Sequence, residues 1–167
     1  MAHVMNLTET LSLAFHSMVY LAERRGPRPC SAREIGDHFG ATEPLVTKTL
    51  QRLLRTGLIR SCKGPGGGYS LVVPPEEVSL LSIAEAVEGP LKSQGCALKG
   101  CNRPPCPVKG LVDAVTDRVS QELASKTLAE LVECFHGEEE TATECTLKHR
   151  RRRKKALWKK NWDSARV

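Results

Sequence analysis

Apolar residues recur every three or four positions through Leu7, Leu11, Ala14, Phe15, Met18 and Ala22, the spacing of one helix face. Asn6 with Glu9 three residues on resembles an N-cap box, and Gly26 and Pro27 stop the run, so the pattern predicts a helix over about 7–24. Ser31 and Glu34 form a second capping box ahead of the Ile35 and Phe39 pair. Gly40 stands where a C-cap belongs, which predicts a short helix over 32–39. Thr42 or Glu43 opens a third helix, with Pro44 in its first turn, where a missing N–H costs nothing. Val46, Leu50, Leu53 and Leu54 are its core stripe, and Gly57 closes it. Two helices joined by a short turn containing Gly are a helix-turn-helix. The opposite face of the second carries Lys48, Gln51, Arg52 and Arg55, where a recognition helix needs hydrogen-bond donors.

Leu58 to Cys62 and Tyr69 to Val73 read as short strands around Lys63-Gly64-Pro65-Gly66-Gly67-Gly68. An isolated glycine run is ordinarily a flexible turn; directly after a basic recognition helix it reads as a wing. Gly66, Gly67 and Gly68 would let backbone N–H groups approach phosphate, with Lys63 or Arg60 adding charge and Tyr69 beside them. Leu80, Ile83, Ala84 and Val87 predict a helix near 79–88, followed by a Gly/Pro/Cys-rich loop over 89–107. Leu111, Val115, Val119 and Leu123 then mark a long amphipathic helix of about 108–124, and Thr127 with Glu130 caps a last short one. Helix-turn-helix proteins commonly read two half-sites as two-fold dimers, so the long helix is expected to be a homodimer seam; packing on its own core is the alternative. The expected fold is mainly α with a small β-hairpin wing, a winged helix-turn-helix plus a long C-terminal dimerisation helix. The expected units are a DNA-binding domain over 5–75, a connecting helix and cysteine-rich sensor loop over 76–107, dimerisation helices over 108–135, and an acidic linker with a basic, disordered tail over 136–167.

A chain of 167 residues, 40% apolar, suits one compact domain with an appendage. It has no long uncharged apolar run and no export signal, so no membrane partner and a cytoplasmic location are expected. The formal charge of +6 is unevenly spread. Residues 148–167 carry a net +9 and the preceding body a net −3, within which 28–63 reverses to +4. That stretch is a candidate phosphate-facing surface. The tail reads as solvated chain or as a source of non-specific attraction to nucleic acid. No nucleophile–His–acid set or phosphate-binding loop occurs, so an enzyme is not expected.

Seven cysteines without an export signal are a poor disulfide framework. Cys96, Cys101 and Cys106 are separated by four intervening residues each, among glycines and prolines, so three thiols can converge. Their spacing is marginal for structural zinc, and no His lies nearby. An iron–sulfur cluster tolerates it but needs a fourth ligand; zinc, a reversible disulfide and inert thiols are the alternatives. Glu9, Ser12 and His16 share one face of the first helix, which makes His16 and Glu9 candidates for that ligand. Cys30, Cys62, Cys134 and Cys145 read as ordinary thiols.

Several stretches resemble the IscR/NsrR-type regulators of the Rrf2 family. They are Asn6-Leu7-Thr8, Glu43-Pro44-Leu45-Val46 to Leu50-Gln51-Arg52-Leu53, Gly57-Leu58-Ile59, Lys63 through Leu71, and Ile83 to Val87. The resemblance spans roughly 5–135, and the wing is its most specific part. It implies a dimeric winged-helix transcription factor on palindromic promoter DNA, with three cysteines at Cys96, Cys101 and Cys106 sensing iron–sulfur status, nitric oxide or redox state. The implied cofactor is a 2Fe-2S cluster, with 4Fe-4S, zinc or none as alternatives. The IscR pattern has a histidine three residues after the third cysteine, where this chain has Lys109. Other members take the fourth ligand from the partner's first helix, and counting from Met5 puts those positions at Ser12 and His16, so the resemblance makes His16 the first choice and Glu9 the second. A cluster-free thiol- or zinc-dependent regulator and an iron–sulfur carrier are the rival expectations.

Overall fold

The computed structural model describes residues 7–24, 28–64, 66–92 and 106–136. The expectations for Asn6, Cys96, Cys101 and Cys145, and for most of the acidic linker and all of the basic tail, lie outside these residues. The described elements are α1 (Glu9–Glu23), α2 (Ala32–Phe39), α3 (Glu43–Arg55), β1 (Ile59–Cys62), β2 (Gly68–Leu71), α4 (Leu80–Glu88), α5 (Pro107–Ser125) and α6 (Leu128–His136). This is the mainly helical winged-helix order that the pattern predicts.

Local chemistry accounts for most boundaries. Thr8 holds an extended conformation and its side-chain oxygen accepts from Leu11 N at 3.0 Å, so Thr8 rather than Asn6 caps α1. Ser31 caps α2 by accepting from Glu34 N at 3.1 Å, and Gly40 ends the helix in the left-handed region. The Glu34 carboxylate does not complete a reciprocal box. It accepts from Arg24 Nη1 at 2.8 Å and from Tyr20 Oη at 3.0 Å, bracing α2 against α1.

The core draws on five helices, with Met18, Ile35, Leu50, Leu53, Ile83 and Leu128 fully buried. The expected single stripe on α1 is corrected: Leu13, Val19 and Leu21 are also buried, whereas Leu7 is 57% exposed. α3, α4, α6 and β2 all pack on α1, so its middle has no solvated side. α6 is hooked in by backbone bonds, Leu128 N to Val78 O at 2.8 Å and Leu80 N to Lys126 O at 2.9 Å.

The wing is a two-stranded antiparallel hairpin in which Ile59 pairs with Leu71 and Cys62 with Gly68. It is clasped to the start of α2, where Cys30 N donates to Tyr69 O at 2.9 Å and Tyr69 N to Cys30 O at 2.8 Å. A Cβ at Gly68 would collide with the Cys30 carbonyl oxygen, and backbone cannot swing away as a flexible side chain can. Gly68→Ala is expected to cost about 1–3 kcal/mol, the usual scale of overpacking, and to loosen the wing. Chemical denaturation with hydrogen exchange at Tyr69 checks this; an unchanged midpoint and protection would contradict it.

Candidate nucleic-acid interface

The recognition helix is held rigidly from its inner side. Val46, Leu50 and Leu53 are fully buried, and buried Thr49 satisfies its hydroxyl by donating to Leu45 O at 2.9 Å. That anchoring turns Lys48, Gln51 and Arg55 outward, and all three are exposed. Lys63 is exposed at the hairpin tip, and exposed Arg60 donates from Nε to Ser70 Oγ at 3.0 Å. Lys48, Arg55, Arg60 and Lys63 are thus exposed on the recognition helix and on the hairpin that follows it, and such side chains suit phosphate and base edges.

Arg52 is placed differently from its three neighbours. It is half-buried, and its Nη1 donates to Val87 O in the last turn of α4 at 2.6 Å. The wing residues also divide their work. Gly66 is exposed with open space around it, but Gly67 N is committed to Gly64 O at 2.8 Å. Gly68 and Tyr69 belong to the clasp, and half-buried Tyr69 packs against the core. The expected phosphate cradle of three glycine amides therefore narrows. Selection by charge passed over exposed Glu43 and half-buried Thr47 in the first turns of α3. Position is the signal there, because a helix in the major groove meets base edges with its N-terminal residues.

The expected ligand residues are not gathered by the described part of the chain. Cys106 is the half-buried N-cap residue of α5. Lys109, in the place of the expected histidine, pairs with Asp113 at 2.5 Å, and that bond holds its pKa above the usual lysine value. His16 is half-buried, donates through Nδ1 to Ser12 O at 2.7 Å, and lies edge-on to Phe39 and Phe135, each 5.4 Å between centroids. Its ring thus packs within its own chain rather than standing on a free polar face. Glu9 is exposed in the first turn of α1, next to Thr8, whose hydroxyl donates to Glu88. Among the described residues no three His, Cys, Asp or Glu side chains group as a metal site.

Residues 7–134 match the Rrf2 family, described as an iron-dependent transcriptional regulator. The chain belongs to the Rrf2 family. Among solved structures, this Rrf2 protein is similar to CymR (YrzC), the global cysteine regulator of B. subtilis. The two share 24% identity over 78% of this chain and 98% of that one, at a TM-score of 0.67. It is similar to an oxidized form of Staphylococcus aureus CymR, at 28% identity over 77% and 97% and a TM-score of 0.65. T. potens IscR matches at 22% identity over 84% and 96%, with a TM-score of 0.66. The Rrf2 chain is thus a winged-helix transcriptional regulator that binds DNA. No helix among the described residues is long and apolar enough to cross a membrane.

Each exposed cation that meets phosphate releases condensed counterions, so removing one should flatten the salt dependence of binding. Lys48→Ala and Arg55→Ala are each expected to reduce the slope of log K against log salt by about 0.9, measured by fluorescence anisotropy on selected duplex DNA. An unchanged slope would remove that residue from the interface. Cysteine reactivity gives a second expectation. Burial pushes the Cys30 thiol pKa up, and the Glu34 carboxylate adds to it, whereas Cys62 is exposed on β1. N-ethylmaleimide at neutral pH should therefore label Cys62 well before Cys30, as peptide mass spectrometry would record; the reverse order would contradict the placement of Cys30.

Proposed function

We propose that this Rrf2 protein is a homodimeric regulator of promoter DNA whose affinity depends on the state of Cys96, Cys101 and Cys106. The observation carrying the reading is the joint placement of α3 and the wing. They expose Lys48, Gln51, Arg55, Lys63 and Gly66, while the cysteine stretch is inserted in the sequence between α4, which packs on α3, and α5.

Dimerisation is supported by α5. None of its residues is buried, and Val108 and Leu111 are 58% and 67% exposed along with Val112 and Val115. A second copy using the same face would cover them and set two recognition helices against two half-sites. Leu111→Asp is expected to convert the dimer to monomer in analytical ultracentrifugation, with loss of tight DNA binding. A dimer that survives with undiminished affinity would reject α5 as the seam.

For the cofactor, an iron–sulfur cluster of the 2Fe-2S type, with 4Fe-4S as the alternative, is proposed on the three cysteines. Cys106, at the start of α5, would supply one of its sulfur ligands. A bound cluster would supply redox and nitric-oxide reactivity and a covalent tie among the thiolates. For the fourth ligand, Glu9 gains ground on His16. It is exposed and adjacent to the Thr8–Glu88 bond, while His16 lies roughly 10 Å further along α1 at a rise of about 1.5 Å per residue. The similarity to an oxidized CymR favours a second reading, in which the cysteines act as thiols or hold zinc.

Anaerobic purification with an absorption spectrum and iron and sulfide analysis separates these readings. Brown protein whose sulfide is lost in Cys101→Ser is the expected result. Colourless protein after anaerobic reconstitution would leave the thiol or zinc regulator.

A further inference from the structure

At the C-terminal end of α4 the recognition helix, the first helix and the start of the cysteine stretch are tied together. The last carbonyls of any helix lack partners within it and carry the negative end of its dipole. α4 has no basic residue in its own last turn, and the positive charge comes from α3, as Arg52 Nη1 on Val87 O at 2.6 Å. One residue on, Glu88 accepts the hydroxyl of Thr8, the cap of α1. Gly89 follows at φ 83° and ψ 177°, a conformation essentially restricted to glycine although nothing crowds the space a Cβ would fill. Leu91 N then donates to Glu85 Oε1 at 3.4 Å, and the chain continues through Lys92 toward Cys96.

We infer that Arg52 is a positioning residue rather than a reader of DNA: it fastens α3 to the end of α4, and the cysteine stretch sets the presentation of the recognition helix through that bond. This rests on the sensing role proposed above. To reach DNA, the Nη1 donor of Arg52 would have to abandon a half-buried carbonyl, leaving it unpaired. Gly89 is the joint at which the cysteine stretch leaves α4, two residues after the carbonyl that holds Arg52 and one after the carboxylate that holds Thr8. Contacts from two different helices thus end within two residues of the point where that stretch begins.

The test is a double-mutant cycle of Arg52→Gln and Cys101→Ser. It uses anaerobically purified full-length protein and a duplex that the wild-type chain selects from a random pool, with anisotropy read over a salt series. Cys101→Ser is expected to shift wild-type affinity by about 5- to 150-fold, the usual range of coupling between sites. In the Arg52→Gln background, and equally in Gly89→Ala, that shift should collapse toward onefold, the non-additivity of residues acting through one element. Arg52→Gln should weaken binding without changing the salt slope, and Arg52→Lys should recover part of the shift. Arg55→Ala should lower the slope and keep the shift.

A Cys101 shift that survives undiminished in Arg52→Gln overturns the coupling alone. A slope reduced by about 0.9 in Arg52→Gln makes Arg52 a phosphate contact and overturns it as well. No Cys101 shift in the wild type removes the sensing role, and the coupling with it. Melting curves identify any variant that fails to fold, in which case the cycle is read on Gly89→Ala.

Discussion

The fold depends on α1 having no free side through its middle. α3, α4, α6 and β2 all lean on it, and Met18 in its middle is fully buried. Its ends are tied by polar contacts of different kinds. At the C-terminal end Arg24 lies over the Tyr20 ring at 4.4 Å while pairing with Glu34; at the N-terminal end Thr8 reaches Glu88. The exposed Arg24 makes that ion pair weak on its own, and its value is directional. The burial of α1 supplies the free energy, and the contacts at its ends fix the angles at which α2 and α4 leave it.

How legible each element was depends on how local its causes are. α2 could be bounded closely because Ser31 and Gly40 punctuate it from within, and α3 and the hairpin could be recognised for similar reasons. The burial of α1 was misjudged because periodicity reports one wet side and one dry side, and a central helix has neither. The Asn6-to-Glu9 spacing also competed with a second capping residue, Thr8, only two positions away. Sequence spacing alone cannot rank two adequate caps.

The candidate site follows the same division. Lys48, Gln51 and Arg55 could be assigned to the outer face because 100° per residue and the apolar stripe determine it. Arg52 shares that arithmetic, yet the carbonyl that captures it arrives on another helix far along the chain, which no helical wheel contains. His16 is the parallel case: its aromatic neighbours come from α2 and α6. Gly68 was read for what its amide might touch, whereas the structure uses the absence of its side chain. Such misses arise where a contact between distant segments reassigns a residue whose local chemistry permits two uses.

The backbone hook of α6 has a consequence for how the protein is made. Leu128 fills the centre of the winged-helix core and is bonded to Val78, so the DNA-binding elements borrow a residue that lies beyond the whole cysteine stretch. A chain emerging N-terminus first presents α1 to α4 with a hole where Leu128 belongs, and the hole persists until α6 has been synthesised and has closed a long loop. The regulator therefore acquires its finished core only after Cys96, Cys101 and Cys106 have already met the reducing or oxidising surroundings of the nascent chain.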